Sequence, residues 1–176
     1  MKRYQHGFTL LEITAVLVLM AIVSAYVIGR AIGTEQIDLS GQTDKIRTQI
    51  RYAQAMGMKR SDADEIWGIK FDPGNDQYWL FSVDIPYVAN AEDLPINQVI
   101  FPGEQNKKVS AAVFGVDIKP ITFPLLFFDR LGKPYKQYID INDPDNDDLD
   151  NPLTITLSAS GQDRTITVIP ETGLAQ

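Results

Sequence analysis

Cysteine is absent from the 176 residues, and the only histidine is His6. Without thiols the chain can form neither a disulfide nor a thiolate metal site. If a short leader containing His6 is removed, the remaining chain also excludes a Ser-His-Asp triad, a Cys-His pair and an ordinary zinc site. No phosphate-binding glycine motif occurs either. We therefore predict that the protein is not an enzyme.

Basic residues are also scarce. Sixteen Lys and Arg stand against 23 Asp and Glu, which gives a net charge of -7 and an isoelectric point near 4.6. Lys2 and Arg3 lie in the first few residues, so their removal would lower the net charge to -9. A surface this acidic repels the phosphates of nucleic acids. We expect no nucleic-acid partner.

The chain has one long apolar run, Phe8–Gly29, whose 22 residues contain a single charge, Glu12. As a helix it would be about 33 Å long, which is enough to cross the hydrocarbon core of a bilayer. Lys2 and Arg3 precede the run and favour a cytoplasmic N-terminus by the positive-inside rule. We predict a single-pass transmembrane helix at residues 8–30, with the rest of the chain on the other side.

Three simpler interpretations of this run remain open. A secretory signal peptide would be cleaved after the run, near Val23-Ser24-Ala25. A simple membrane anchor would carry Glu12 at a cost of about 2.5–3.5 kcal/mol at the bilayer centre, and less near the interface. A helix buried in a soluble core is the third, although such a helix is rarely apolar on all sides.

The residues before the run favour a more specific interpretation. After a short basic leader, Gly7-Phe8-Thr9-Leu10-Leu11-Glu12 resembles the prepilin peptidase recognition motif of type IV pilins and type II secretion pseudopilins. The resemblance implies that residues 1–7 are a leader, that prepilin peptidase cleaves between Gly7 and Phe8, and that Phe8 is then N-methylated. Such cleavage leaves the apolar helix attached to the mature protein.

Glu12 would become the fifth residue after the cut. A carboxylate in apolar surroundings requires a partner. The resemblance implies that Glu12 pairs with the N-terminal amine of a neighbouring subunit and sets the axial stagger between helices in a filament. The alternative is that Glu12 only marks the lipid interface.

The helical pattern continues through residues 31–60 as an amphipathic segment. The apolar positions, spaced by three or four, are Ile46, Ile50, Ala53 and Met56 or Gly57; the polar positions between them are Asp44, Lys45, Arg47, Gln49 and Arg51. One face should contact a domain and the other should face solvent. Gly29, Gly33 and Gly41 either bend or melt the helix, or only lower its stability.

From residue 61 to residue 176 the pattern is that of antiparallel β-structure. The predicted strands are Ile66–Asp72, Gln77–Val83, Gln98–Phe101, Lys108–Ile118, Ile121–Phe128, Pro134–Ile141, Thr154–Ser158 and Arg164–Ile169. Pro124 should place part of its strand at an edge or bulge. The predicted class is α+β, a long N-terminal helix packed on an antiparallel β domain.

Short motifs in the amphipathic helix and in the β half resemble the minor pseudopilin H and FimT-type minor pilins. They include Ile50–Ala55, Phe127–Pro134 and Thr172-Gly173. The resemblance implies a structural subunit of a periplasmic pseudopilus in a type II secretion system, held in the inner membrane with its β domain in the periplasm. Its partners would be other pseudopilins or pilins. The alternative is a FimT-type minor pilin that serves adhesion, DNA uptake or pilus assembly.

Two groups of side chains could form a ligand site. Asp143, Asp145 and Asp147 have the alternating acids of a calcium loop, but Asp148 and Thr154 break the EF-hand pattern. A calcium site of another kind and a solvated acidic loop both remain open. The aromatic residues Trp67, Tyr78, Trp79, Phe81, Phe123, Phe127 and Phe128 are predicted to form the core of the β domain rather than a ligand stripe.

The leader motif makes a direct prediction about processing. In a host that has a prepilin peptidase, the mature chain should begin with N-methylated Phe8. Intact-mass and N-terminal peptide analysis of the protein purified from that host measures this. A mature chain starting near Tyr26 would instead indicate ordinary signal peptidase and would contradict the pilin-like interpretation.

Overall fold

The computed structural model describes residues 10–59, 65–139 and 146–176, apart from the side chains of residues 25–38. One long helix is followed by antiparallel strands, which confirms the α+β class. Among the described residues, no helix is long and apolar enough to cross a membrane.

The helix α1 extends from Leu10 to Lys59, a span of 50 residues. At about 1.5 Å per residue it is roughly 75 Å long. The helix is unbroken at Gly29, Gly33 and Gly41, so these glycines do not form a melted turn. No proline occurs within α1, so no residue interrupts the series of backbone hydrogen bonds along the helix.

Ten strands are described after α1. They are β1 (Glu65–Asp72), β2 (Gln77–Asp84), β3 (Gln98–Val99), β4 (Lys108–Ser110), β5 (Asp117–Ile118), β6 (Leu125–Phe128), β7 (Pro134–Gln137), β8 (Asp147–Asp148), β9 (Leu153–Ala159) and β10 (Gln162–Val168). The larger sheet has the order β3-β2-β1-β6-β7-β8, and β4 also pairs with β2. The smaller sheet has the order β10-β9-β5. All pairs are antiparallel.

Both hairpins that the sequence predicted most clearly are confirmed. β1 and β2 pair in continuous register on either side of the turn at residues 73–76. β9 and β10 are joined at Ser160 and Gly161, with φ angles of 49° and 78°. Two consecutive positive φ angles match the twist of the flanking strands, which explains the glycine in this turn.

Several predicted strands are shorter than their apolar patterns suggested. The continuous strand predicted at Lys108–Ile118 is wrong, because a 3₁₀ turn at Ala112–Phe114 separates β4 from β5. Gly115, at a φ of 68°, ends this turn, and the chain crosses from the larger sheet to the smaller one. The strand predicted at Ile121–Phe128 begins only after Pro124, which has no N–H to donate to a ladder.

The C-terminal half of α1 forms one core with both sheets. Ile46, Ile50 and Ala53 are fully buried, as predicted. They belong to the same cluster as Leu126 of the larger sheet and Ile166 of the smaller one. The helix therefore joins the two sheets, which otherwise have separate hydrogen-bonded ladders.

Gln49 is an exception to the predicted solvent face of α1. It is buried, and its Nε2 donates to Glu104 Oε1 at 3.1 Å. Glu104 also accepts from Lys45 Nζ at 2.6 Å. The loop carrying Glu104 supplies a partner for a polar side chain, so a polar residue can lie on the packed face. Its partner is 55 positions away, beyond the reach of a periodicity argument.

The opposite face of the larger sheet is covered by residues 85–97. Six buried residues form this second cluster: Ile66, Trp79, Phe81, Val83, Phe127 and Tyr138. Three of the predicted aromatic residues lie in this cluster, and Trp67, Tyr78 and Phe128 lie in the core that includes α1. The aromatic prediction is therefore confirmed apart from Phe123, which is 37% exposed. Phe123 precedes β6, which begins at Leu125, so it does not lie on a face of the sheet.

The buried carboxylate of Glu92 attaches residues 85–97 to the larger sheet. Glu92 is 1% exposed and accepts hydrogen bonds from Lys70 Nζ at 2.9 Å and Tyr87 Oη at 2.6 Å. Burial and the Glu92 carboxylate both raise the pKa of Tyr87. Burial alone would lower the pKa of Lys70, but the hydrogen bonds to Asp93 and Glu92 outweigh it and raise that pKa. The lysine therefore stays charged and holds the segment on the sheet.

Gly68 lies where two aromatic rings meet across β1. Its register partners are Phe81 on β2 and Phe127 on β6, and the two rings contact edge to face at 5.4 Å between centroids. A Cβ on Gly68 would lie 2.4 Å from the Phe81 ring and 2.5 Å from the Leu126 carbonyl oxygen. Only glycine leaves room for both neighbours.

We expect Gly68→Ala to lower the free energy of unfolding by about 1–3 kcal/mol, because overpacking forces the ring or the strand to move. Gly41→Ala is the matched control, since a Cβ there meets nothing within 4 Å and alanine is the better helix former. The control should raise stability by about 0.5–1 kcal/mol. Thermal melts of the purified full chain in detergent measure both. Equal melting temperatures for the two variants would contradict the packing at Gly68.

Candidate assembly site

The N-terminal part of α1 is apolar and exposed. We call Leu10–Ser24 the apolar segment. Every side chain in it is exposed, and among its large apolar residues the exposed fraction ranges from 52% at Ile13 and Val16 to 85% at Leu10. The large apolar residues concerned are Leu10, Leu11, Ile13, Val16, Leu17, Val18, Leu19, Met20, Ile22 and Val23. They lie on all sides of the helix, so no single contact with the β domain could cover them.

Leu39 is buried at 1% exposure and is the first residue after Ser24 whose side chain is described. From this point α1 lies against the sheets. The same helix thus has an apolar segment without burial and a second half built into the core of a folded domain. Apolar surface on this scale requires another solvent or another protein to cover it.

Glu12 is the acidic residue in the first turn of α1. The N-terminal end of a helix carries partial positive charge, so a carboxylate is favourable there. Thr14 satisfies its hydroxyl within the helix by donating to the Leu10 carbonyl oxygen at 2.8 Å. The predicted cleavage site, Gly7 and Phe8, lies outside the described residues. The roles of Gly7, Phe8 and Glu12 stay predictions.

Polar side chains on α1 hold the C-terminal tail and the β6–β7 turn. Gln54 Nε2 donates to the carbonyl oxygens of Gly132 at 2.9 Å and Thr172 at 2.5 Å. Arg51 donates through Nε and Nη2 to the carbonyl oxygen of Ala175, at 3.1 and 2.8 Å. The backbones approach so closely that a Cβ on Gly173 would lie 2.5 Å from Gly132 O.

This junction brings together three motifs that are far apart in the sequence. They are the helix motif Ile50–Ala55, the turn within Phe127–Pro134, and Thr172-Gly173. The sequence singled out each of them as a resemblance to minor pseudopilins and minor pilins. The structure shows a shared physical reason for their residue types: donors on the helix, and glycines where two turns meet it.

The acidic loop is only partly described. Asp143 and Asp145 lie outside the described residues, and Asp147 begins β8. Lys136 Nζ lies 3.0 Å from Asp147 Oδ1 and 3.3 Å from Asp150 Oδ2. The hydrogen bond to Asp147 raises the pKa of Lys136.

A second lysine acts in the same way. Lys133 forms an ion pair with Asp148. Burial, with the charges of Asp129 and Asp148, raises the pKa of Tyr135 to about 12. Within residues 10–59, 65–139 and 146–176, no group of three or more acidic, His or Cys side chains could hold a metal ion. The sequence analysis did not predict that Lys133 and Lys136 pair with these carboxylates. The pairing of β7 with β8 brings the two lysines close to them.

The family comparison concerns the N-terminus. Residues 2–28 match the family model described as the prokaryotic N-terminal methylation motif. The chain carries the type IV pilin-like signal. This match includes Gly7, Phe8 and Glu12, and it supports processing by a prepilin peptidase. It also suggests membrane anchoring and assembly with other pilins. No curated protein and no solved structure matches the chain.

The pilin-like chain should not depend on calcium for stability. Lys133 and Lys136 already form ion pairs with three carboxylates, Asp147, Asp148 and Asp150, so we expect an unchanged melting temperature in millimolar calcium. A rise with calcium but not with magnesium, lost in Asp145→Asn and kept in Asp163→Asn, would contradict this. It would show that the loop supplies a calcium site.

Proposed function

We propose that this protein is a minor pseudopilin, a structural subunit of the periplasmic pseudopilus of a type II secretion system involved in protein export. The observation that carries the proposal is that a type IV pilin-like signal at residues 2–28 leads into α1, a helix whose two halves have different surroundings. One half is exposed and apolar; the other is built into a folded domain.

The two halves suit two different tasks. Side chains of the apolar segment would pack against the same segment of neighbouring subunits in the filament centre, where they are removed from both lipid and water. The β domain and the C-terminal half of α1 share one core, which needs no other chain to bury it. It would form the outer surface and select partners. We propose a mechanical role in assembly and no catalytic role.

Before assembly the protein would wait in the inner membrane. Residues 8–30 would span the bilayer once, with Lys2 and Arg3 in the cytoplasm and the β domain in the periplasm. Prepilin peptidase would cleave on the cytoplasmic side and leave the helix in place. The other pseudopilins would then be its partners as it enters the filament.

The FimT-type minor pilin is the alternative within the same class. The junction at Gln54, Gly132 and Thr172 suits both subfamilies. The charge favours the pseudopilin, because DNA uptake requires basic surface and the mature chain would carry -9. Secretion genes beside its gene would support the pseudopilin, whereas retraction-motor or competence genes would support the pilin.

Glu12 gives the proposal its sharpest physical consequence. In a filament this carboxylate would be surrounded by apolar side chains and would pair with the Phe8 amine of a neighbour. Removing one member of a buried ion pair typically costs about 3–5 kcal/mol, because the remaining charge is left without a partner. Entry into the filament should therefore depend on Glu12 more than on the apolarity of the segment.

We expect Glu12→Leu to keep membrane insertion and cleavage but to lose crosslinking to neighbouring subunits. Because the chain has no cysteine, single cysteines placed in the apolar segment report these contacts without background. Crosslinking yield at equal membrane levels is the measurement.

Thr14→Leu is the matched control, since it adds the same apolar side chain two residues away and leaves Glu12 in place. The control should crosslink like the wild type. Equal crosslinking by Glu12→Leu and the wild type would show that Glu12 only marks the interface, and would contradict the proposed mode of assembly.

A further inference from the structure

One edge of the smaller sheet is only partly covered. β10 pairs with β9 on one side. On its other side the C-terminal tail adds a short antiparallel stretch: Thr167 N donates to Gln176 O at 3.0 Å, and Gln176 N donates to Thr167 O at 2.9 Å. This contact shows that the outer edge of β10 accepts an extended strand.

The rest of that edge has no backbone partner among the residues that the structure describes. The register of β9 with β10 is continuous from Gln162 to Val168. Backbone direction alternates along a strand, so Asp163 and Thr165 point their N–H and C=O groups to the same side as Thr167. In the described part of the chain, no residue forms a backbone hydrogen bond with these four groups. Both residues are exposed.

A groove runs between this open edge and α1. Its cavity has a volume of about 620 Å³ and is lined on one wall by residues 162–165 of β10. The other wall is a polar face of the helix, made of Ser40, Thr43, Asp44 and Arg47. The groove therefore has an unpaired strand edge and polar side chains opposite it, the two features that a bound extended chain requires.

The charges in the groove favour an occupant that carries oxygen acceptors. Arg47 Nη1 donates to Asp44 Oδ1 at 2.5 Å, but the Arg47 Nε is buried and finds no acceptor among the described residues. Arg164 stands on the same side of β10 as Ile166, which faces α1. Asp44 is thus already bound, and Asp163 adds a second carboxylate to the groove. The Arg47 Nε and the Arg164 guanidinium are donors that find no acceptor among the described residues.

The groove also lies at the end of the domain from which α1 emerges. Ser40 lines it, and the preceding residue, Leu39, is buried in the domain core. Neighbours packed along the apolar segment would approach this end of the domain.

We propose that the groove binds an extended segment of a neighbouring filament subunit. The segment adds as a further strand at Asp163 and Thr165, continuing the line of the C-terminal tail, and it presents a carboxylate to Arg47 and Arg164. This inference rests on the proposed function, because it takes the occupant from the same filament. It goes beyond helix packing by assigning a second contact between subunits, made by backbone hydrogen bonds of the β domain.

The test uses the full chain in a host that assembles the filament, with a photoreactive benzoylphenylalanine in place of Gln162 on the groove wall. Thr165 is then kept, changed to Val or changed to Pro. Val keeps the backbone N–H, whereas Pro removes it from an edge where no contact within the domain uses it. We expect equal adducts with a neighbouring subunit for Thr and Val. The Pro variant should lose adduct on the order of tenfold.

Two further measurements check that the Pro variant folds and that the filament assembles. Circular dichroism melts check that the Pro variant folds, and Asp163→Pro replaces it if it does not. Cysteine crosslinking within the apolar segment reports helix assembly separately, so failure of the filament itself is recognised by loss of those crosslinks in the wild type.

Loss of the adduct in the Pro variants with helix crosslinks intact supports the inference. Equal adducts from Val and Pro would overturn it, since the backbone would not be pairing. An adduct within the same chain would also overturn it, because the protein would then cover its own edge. So would the absence of any adduct in an assembled filament, which would mean that the charged residues only shield the edge.

Discussion

The contact between the C-terminal half of α1 and the two sheets is the interaction on which the rest of the molecule depends. Ile46, Ile50 and Ala53 fill the space between ladders that share no hydrogen bonds. Without this helix the smaller sheet would have an uncovered apolar face. The same helix carries the apolar segment, so the element that completes the domain core is also the element that would contact neighbouring subunits in the proposed filament.

Polar contacts then determine how the domain is oriented on that helix. Gln54 and Arg51 bind carbonyl oxygens of the β6–β7 turn and of the C-terminal tail, so parts of the chain more than 70 residues away are held at one helix turn. Hydrogen bonds of this kind add modest net stability but have strict geometry. They hold the C-terminal tail against β10 at Thr167. Farther along the same edge, Asp163 and Thr165 have no backbone partner among the described residues.

The elements that the sequence predicted well are those specified by nearby residues. The type IV pilin-like signal is one continuous motif, the helix follows from spacing and from the absence of proline, and the two clearest hairpins follow from turns rich in glycine and alternating strands. Predictions failed where a distant partner decided the outcome. Gln49 is buried because Glu104 reaches it, and Lys108–Ile118 is broken because its two ends belong to different sheets.

The type IV pilin-like signal, the helix and the sign of the net charge could be predicted because each depends on composition or on residues close together in the chain. Three features could not: the ion pairs of Lys133 and Lys136, the close contacts at Gly68, and the strand edge that faces α1. These features depend on distances between residues far apart in the chain. Such distances are set when the sheets close on the helix, and no local pattern encodes them.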